Sequence, residues 1–362
     1  MSSLAPRRVV LLLYNVGTDA FSPQEIVDRQ LSYVKKFREI SPGSFIPPLV
    51  LASGFAEFNP NSNDLIEIRV ISKRDINPFE FLIRSLFVLR RLVPRSRHFL
   101  FVAGNPLQPL AISLILKIFF PNSRLQVSLH GDLRAWFDKG LKNLAKRSLF
   151  LMSLPKIDLL RFVSEPQLQT AESLFKINNK GKVVCPIPVN LTKGSRLVDN
   201  SVNRLGFVGR AHKERGVFEW VEIAKKLPEF DYLVVGDGPE FKEFRTSLPS
   251  AQFMGKLSHS QTLSMYAHMS VFLNCAPYES YGLSIREALL AGVPVVTRKT
   301  AGVQDLLHKF PGIIKSYSTV DEAVFYVREL ALTQELSQFE HFYNYIKDKQ
   351  DLSLQRLVSN WP

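Results

Sequence analysis

Two carboxylates, Glu279 and Glu287, bracket seven residues in the stretch ESYGLSIREALLAGVPVV, residues 279–296. Ser284 to Ala291 is predicted to be a helix, with apolar positions at Ile285, Leu289 and Leu290. Gly292 suits its C-cap and Pro294 a stop just beyond it. Val293, Val295 and Val296 then read as a buried strand. Glu279 therefore belongs to the loop entering the helix, and Glu287 lies about one turn inside it. Between them is a glycine-containing helix start whose free amides make a ready anion site. Two carboxylates on either side of such a site can hold a molecule with hydroxyls flanking a diphosphate. A nucleotide sugar has that chemistry.

The elements needed to position these groups are legible as an alternation of strands and helices. Val9–Tyr14 is an apolar run entering Asn15-Val16-Gly17, and a helical pattern follows from Pro23 to Phe37. This opening is that of an α/β fold. Gly17 either lets a ligand approach the backbone or only makes the turn. Leu125–Leu129 is predicted to be a strand delivering His130-Gly131-Asp132 at its carboxyl end, where ligands bind in open α/β sheets. His130 is accordingly a candidate ligand contact, with a structural role as the alternative; Asp132 also suits the N-cap of a helix near Leu133. The polar residues 191–203 read as a linker between a first domain, 1–190, and a second, 204–344. A segment at 345–362 follows, with a return to the first domain as one option. Leu205–Val208, Tyr232–Val235, Phe253–Leu257 and Val271–Asn274 read as strand regions of the second domain. The loops between them carry Arg210 and Arg215, Gly236-Asp237-Gly238, and Gly255-Lys256. Guanidinium groups suit a diphosphate because they bind its oxygens in pairs.

Composition narrows the class. The chain has 362 residues, 46% of them hydrophobic and 22% charged, which is ordinary for a globular protein of about two domains. Its two cysteines, Cys185 and Cys275, lack metal or disulfide-framework spacing, which fits a reducing cytosol. The N-terminal apolar run is too short to span a membrane, although it imitates a signal peptide. The net charge of +13 is concentrated in residues 1–190, which hold 26 Lys and Arg against 14 Asp and Glu. Within residues 69–97, Arg84, Arg90, Arg91, Arg95 and Arg97 alternate with Phe and Leu. Such a segment is either an amphipathic helix for an anionic membrane surface or a core helix with a solvated Arg face. Interleaving with apolar residues argues against nucleic acid as the partner.

The pieces Gly206–Gly216, Leu233–Glu240, Phe253–Ser258 and Glu279–Val296 together resemble the donor-binding domain of the retaining glycosyltransferases of family 4. The resemblance is strong over residues 205–306 and looser in the first half. It implies the GT-B fold, with two Rossmann-like domains facing each other across a cleft. It also implies that Arg210 and Arg215 bind the donor diphosphate and that Glu287 holds the ribose. Glu279, with the backbone of Tyr281, Gly282 and Leu283, would contact the transferred sugar and distal phosphate. The backbone near Lys256 would meet the base, Gly17 the phosphate and His130 the sugar. Two features differ from the family pattern: Arg215 replaces the usual Lys, and Gly17 lacks a paired glycine.

The expected activity is transfer of a sugar from a nucleotide-diphosphate sugar to a saccharide or lipid-linked acceptor in cell-envelope synthesis. The expected location is cytoplasmic, with the inner face of the membrane as an option. The alternatives are a sugar-nucleotide epimerase or hydrolase, and a binding protein that has lost activity. The chain has no Asp-x-Asp motif, so the expectation is no cofactor and no obligatory metal.

Overall fold

The computed structural model describes residues 8–13, 23–40, 42, 46–54, 65–92, 99–104, 108–131, 133–137, 139–177, 181–191, 203–332 and 335–360. It divides into two compact units, residues 1–188 with 350–362, and residues 189–349.

The first unit alternates β1 (Arg8–Leu13), α1 (Pro23–Ile40), β2 (Leu49–Ser53), β3 (Glu67–Ser72), α2 (Pro78–Leu92), β4 (Phe99–Ala103) and α3 (Gln108–Phe119). It continues with β5 (Arg124–Leu129), α4 (Leu141–Ser153), β6 (Leu159–Phe162), α5 (Glu165–Leu174) and β7 (Gly181–Val184). The seven strands pair in parallel in the order β3-β2-β1-β4-β5-β6-β7. Helices on both faces of a parallel sheet require strands that are apolar on both sides. Strand β1 shows this: Val10 and Leu12 enter one core cluster, while Val9 and Leu11 enter another. The apolar run near the N-terminus is thus a buried central strand.

The second unit contains β8 (Arg204–Val208), α6 (Val217–Lys225), β9 (Asp231–Val235), α7 (Phe241–Ser247), β10 (Gln252–Gly255), α8 (His259–Tyr266) and β11 (Val271–Asn274). It continues through α9 (Leu283–Leu290), β12 (Val295–Arg298), α10 (Gln304–Lys309), β13 (Ile314–Tyr317) and α11 (Val320–Ala331). Its six strands are also parallel, in the order β10-β9-β8-β11-β12-β13. Leu205, Phe207, Val234 and Leu273 pack on Trp220 and Phe244, which stack edge to face.

A last helix, α12 (Leu336–Ser359), carries residues of both units. Phe342 packs edge to face on Phe310 in the second unit. Leu354, Leu357 and Val358 join the first unit's cluster with Tyr33 and Phe37 of α1. Burying each such side chain contributes roughly 1.5–3 kcal/mol.

Several details correct the sequence reading. Strand β3 and helices α7, α10 and α12 were not expected, nor was β13, whose Ile-Lys-Ser-Tyr has little apolar pattern. The helix expected near Leu133 is a short 3-10 turn, Arg134–Phe137, and α4 starts only after Gly140, whose φ is 148°. The strand expected from Val293 begins at Val295. Gly292 does take the left-handed conformation, φ 79°, that ends a helix.

Candidate functional site

In an open parallel sheet the ligand crevice lies at the carboxyl ends of the strands, where the strand order reverses. In the second unit that point lies between β8 and β11. The loop after β8 supplies Arg210 and Arg215; the loop after β11 supplies Glu279.

Local sequence shapes the first loop. The Nδ1 atom of His212 accepts the N–H of Glu214 at 3.2 Å, capping a 3-10 turn over Lys213–Arg215. The turn closes at Gly216, whose φ is 68° and whose Cα is packed so tightly on the Cys275 carbonyl that a Cβ would collide with it. Glycine here therefore serves both the backbone conformation and the close approach of the two loops. The result is a direct ion pair: Arg215 Nη1 donates to Glu279 Oε1 at 2.5 Å. The Glu279 side chain is only 12% exposed, while that of Arg215 is 46% exposed. Arg210, also exposed, lies 3.9 Å from Glu214 and outside that pair.

The second loop is held from behind. The N–H of Gly302, in the loop after β12, donates to the Glu279 carbonyl at 2.7 Å. A Cβ on Gly302 would sit 2.6 Å from the Tyr281 nitrogen. The Tyr281 ring is buried under the Arg286 guanidinium at 3.9 Å, and burial pushes its hydroxyl pKa up. Gly282, at φ 70°, is the N-cap of α9 and makes no side-chain cap bond. The first helical bond runs from Arg286 N–H to the Gly282 carbonyl at 3.1 Å. The amides ahead of it, from Leu283 onward, are those an anion can use.

Glu287 is 6% exposed. Its Oε1 lies 2.8 Å from His259 Nε2, and its Oε2 accepts from the Tyr266 hydroxyl at 3.5 Å. Burial, and then the charge of Glu287, hold the Tyr266 hydroxyl well above its ordinary pKa, so it remains a donor. Sequence reasoning missed both partners of Glu287. Their signal lay in the helix HSQTLSMY, where the spacing from 259 to 266 places them two turns apart on one face.

The loops after β9 and β10 close on the same edge. Ala211 N–H donates to the Asp237 carbonyl at 3.0 Å, and Gly236 N–H to the Gly255 carbonyl at 2.9 Å. Lys256 follows Gly255 and is exposed. The second unit therefore brings the loops bearing Arg210, Arg215, Lys256, Glu279, Tyr281 and Gly282, with Leu283 and Glu287 of α9, to one end of its sheet.

In the first unit, His130 is exposed at the carboxyl end of β5. Its turn is anchored by Gln167, whose Nε2 donates to the Gly131 carbonyl at 2.7 Å and whose Oε1 accepts the Val163 N–H at 2.8 Å. Gly17 and Asp132 lie outside the described residues. A shallow depression of about 450 Å³ in this unit is lined by Trp136, Phe137, Leu141, Leu144 and Arg147, none of which is a site residue. Among the described residues, no group of three or more His, Cys, Asp and Glu is placed to hold a metal ion.

Residues 192–348, nearly the whole of the second unit, match the family described as Glycosyl transferases group 1. A GDP-mannose-dependent alpha-mannosyltransferase of Mycolicibacterium smegmatis is 33% identical over 103 residues, 28% of this chain and 27% of that protein. A 2-deoxystreptamine N-acetyl-D-glucosaminyltransferase of Niallia circulans is 29% identical over 120 residues, 30% of this chain and 31% of that protein. The chain thus spans only about a quarter to a third of the length of these relatives. Among solved structures, sucrose-phosphate synthase from Thermosynechococcus elongatus aligns with a TM-score of 0.69 at 14% identity, over 97% of this chain and 95% of that one. HepE of Anabaena, solved in complex with UDP and glucose, aligns with a TM-score of 0.68 at 15% identity, over 98% of each chain. At these identities the structures show the fold: an α/β, GT-B fold with two Rossmann-like domains.

Proposed function

We propose that the protein is a retaining glycosyltransferase of family 4 that takes a sugar from a nucleotide-diphosphate sugar. The observation that carries this reading is the Arg215–Glu279 pair at the strand-order reversal, beside the uncapped start of α9. A donor brings two phosphate charges to a guanidinium already engaged by one carboxylate. Exchange of Arg215 from Glu279 to the diphosphate releases the carboxylate toward the sugar, while the α9 amides receive the distal phosphate. The main chemical demand is to stabilise charge on the departing nucleoside diphosphate. The two arginines and the helix-end amides meet it in this reading. In this reading Arg210 adds a second cation, Glu287 holds the ribose hydroxyls, and the backbone at Lys256 meets the base. The roles of Gly17 and His130 rest on the family resemblance alone.

The relatives named as mannosyl- and N-acetylglucosaminyltransferases support a hexosyl or N-acetylhexosaminyl donor. The acceptor in this reading is a saccharide or lipid-linked saccharide of cell-envelope synthesis. The surface of the first unit supports a peripheral contact with an anionic membrane. Phe79, Ile83 and Phe87 form an exposed stripe along α2, and Ile118 and Phe119 are exposed on neighbouring α3. Arg90 lies over the Phe119 ring at 5.6 Å, and Arg91 is exposed beside it. Among the described residues, no helix is long and apolar enough to cross a membrane. Arg95 and Arg97 lie outside the described residues.

A thermal-shift panel of nucleoside diphosphates and their sugars tests the donor reading, because selective binding raises the midpoint. One base and one sugar should stand out, and transfer with that donor should survive a chelator; complete loss restored by magnesium or manganese would overturn the metal-independent reading. Rapid epimerisation or hydrolysis of the donor without acceptor would favour the alternative enzyme class.

A further inference from the structure

Arg286 is a charged residue with 1% exposure in the middle of α9, on the side away from solvent. Its guanidinium stacks on the Tyr281 ring at 3.9 Å. Nη1 donates to the Gly302 carbonyl at 3.0 Å, and Nη2 donates to Asp305 Oδ1 at 3.3 Å. Gly302 in turn donates its N–H to the Glu279 carbonyl. One buried side chain thus grips both neighbours of the site's carboxylate loop, the ring of Tyr281 and the backbone of Gly302.

The grip is itself anchored. Asp305 Oδ2 accepts Lys349 Nζ at 2.7 Å and the Tyr345 hydroxyl at 3.0 Å, both from α12. Burial raises the Asp305 pKa, but Arg286 and Lys349 outweigh burial and hold it below its ordinary value. The carboxylate therefore stays charged between two cations. A buried charge network of this kind is a poor device for stability alone, since apolar residues of similar volume often serve a fold as well or better. Arg286 Nε, moreover, is buried without a hydrogen-bond partner. The network's distinctive property is directional: it fixes the backbone from Glu279 to Gly282 against the loop after β12.

We propose that Arg286 is a positioning residue for donor binding, supported by Asp305 and Lys349. It acts through Tyr281 and Gly302 to hold the Glu279 carboxylate and the first amides of α9 in register with the sugar and distal phosphate. This rests on the donor reading above, and its ligand contacts are all indirect. The nucleoside end of the donor lies with Glu287 and the Lys256 loop and should be insensitive to Arg286.

The test compares wild type with Arg286→Met and Arg286→Lys by titration with a nucleoside monophosphate and with the matching nucleotide sugar, alongside initial rates and unliganded thermal midpoints. Arg286→Met should keep monophosphate affinity within about twofold, while its sugar-nucleotide affinity falls about tenfold, equivalent to about 1.4 kcal/mol. Turnover should fall by up to about a hundredfold, the scale of a 1 Å misplacement. Arg286→Lys keeps the charge without the fork, so it should fold and recover part of the loss. Equal loss of both ligands, or no loss of either, overturns the positioning role. Failure of the wild type to bind any nucleotide overturns the donor reading instead.

Discussion

Arg215 and Glu279 stand on the two loops that flank the reversal of strand order, and Arg215 Nη1 lies 2.5 Å from Glu279 Oε1. The pair joins the groups assigned to the donor's phosphates and to its sugar. Glu279→Gln should therefore tighten binding of a bare nucleoside diphosphate, because Arg215 loses its competitor. The same change should lower turnover by roughly 10²–10³, the cost of losing one transition-state contact. Arg215→Met should weaken the diphosphate by about 1.5–3 kcal/mol, the usual range for a hydrogen bond to a charged group. Calorimetry and initial rates on the two variants check both signs.

Glu287 is bonded to His259 and Tyr266 at once. Removing it takes away the ribose carboxylate and also leaves the buried Tyr266 hydroxyl without its acceptor. Glu287→Ala should weaken nucleoside binding and lower stability, each by about 1–3 kcal/mol. His259→Ala, at a half-exposed position, should weaken the same ligand less. Titration with a nucleoside monophosphate separates these effects from those at Glu279.

Gly302 packs with its Cα against the Tyr281 nitrogen and the Glu279 carbonyl. Gly302→Ala forces a Cβ to 2.6 Å from backbone and should cost about 1–3 kcal/mol in unfolding free energy. Turnover should fall with it. Gly104→Ala is the control: its Cβ would meet nothing within 4 Å, so the change should stay within about 0.5 kcal/mol.

The exposed apolar stripe of α2, with Arg90 and Arg91 at its end, should bring the protein to anionic vesicles and much less to neutral ones. Sedimentation should weaken as salt rises, because the charge contribution is screened within roughly 10 Å at 0.1 M salt. Phe79→Ser with Phe87→Ser should reduce it at every salt concentration. Equal binding to neutral vesicles would remove the charge argument.

The alternation of β-branched runs with amphipathic helices made most of the parallel sheets legible, since buried parallel strands are nearly continuous in apolar residues. Strand β13 escaped because Lys315 and Ser316 break that run, its order coming from pairing with β12. Helix α12 escaped because its apolar positions serve two clusters, Phe342 with Phe310 and Leu354 with Tyr33. At the site, the acids and arginines were legible as residue types suited to a diphosphate and hydroxyls. Their supports were not: His259 and Tyr266 come from α8 and Gly302 from the loop after β12, while Arg286, next to Glu287 on α9, finds Tyr281, Gly302 and Asp305 only once the chain is folded.

A crystal structure of the protein with a nucleoside diphosphate tests the donor site most directly. The ribose hydroxyls should lie on Glu287, the base along the backbone at Lys256, and the distal phosphate at the start of α9 with Arg215 turned to it from Glu279. A diphosphate bound elsewhere, or bound here with the Arg215–Glu279 pair intact and the α9 amides untouched, would contradict this placement.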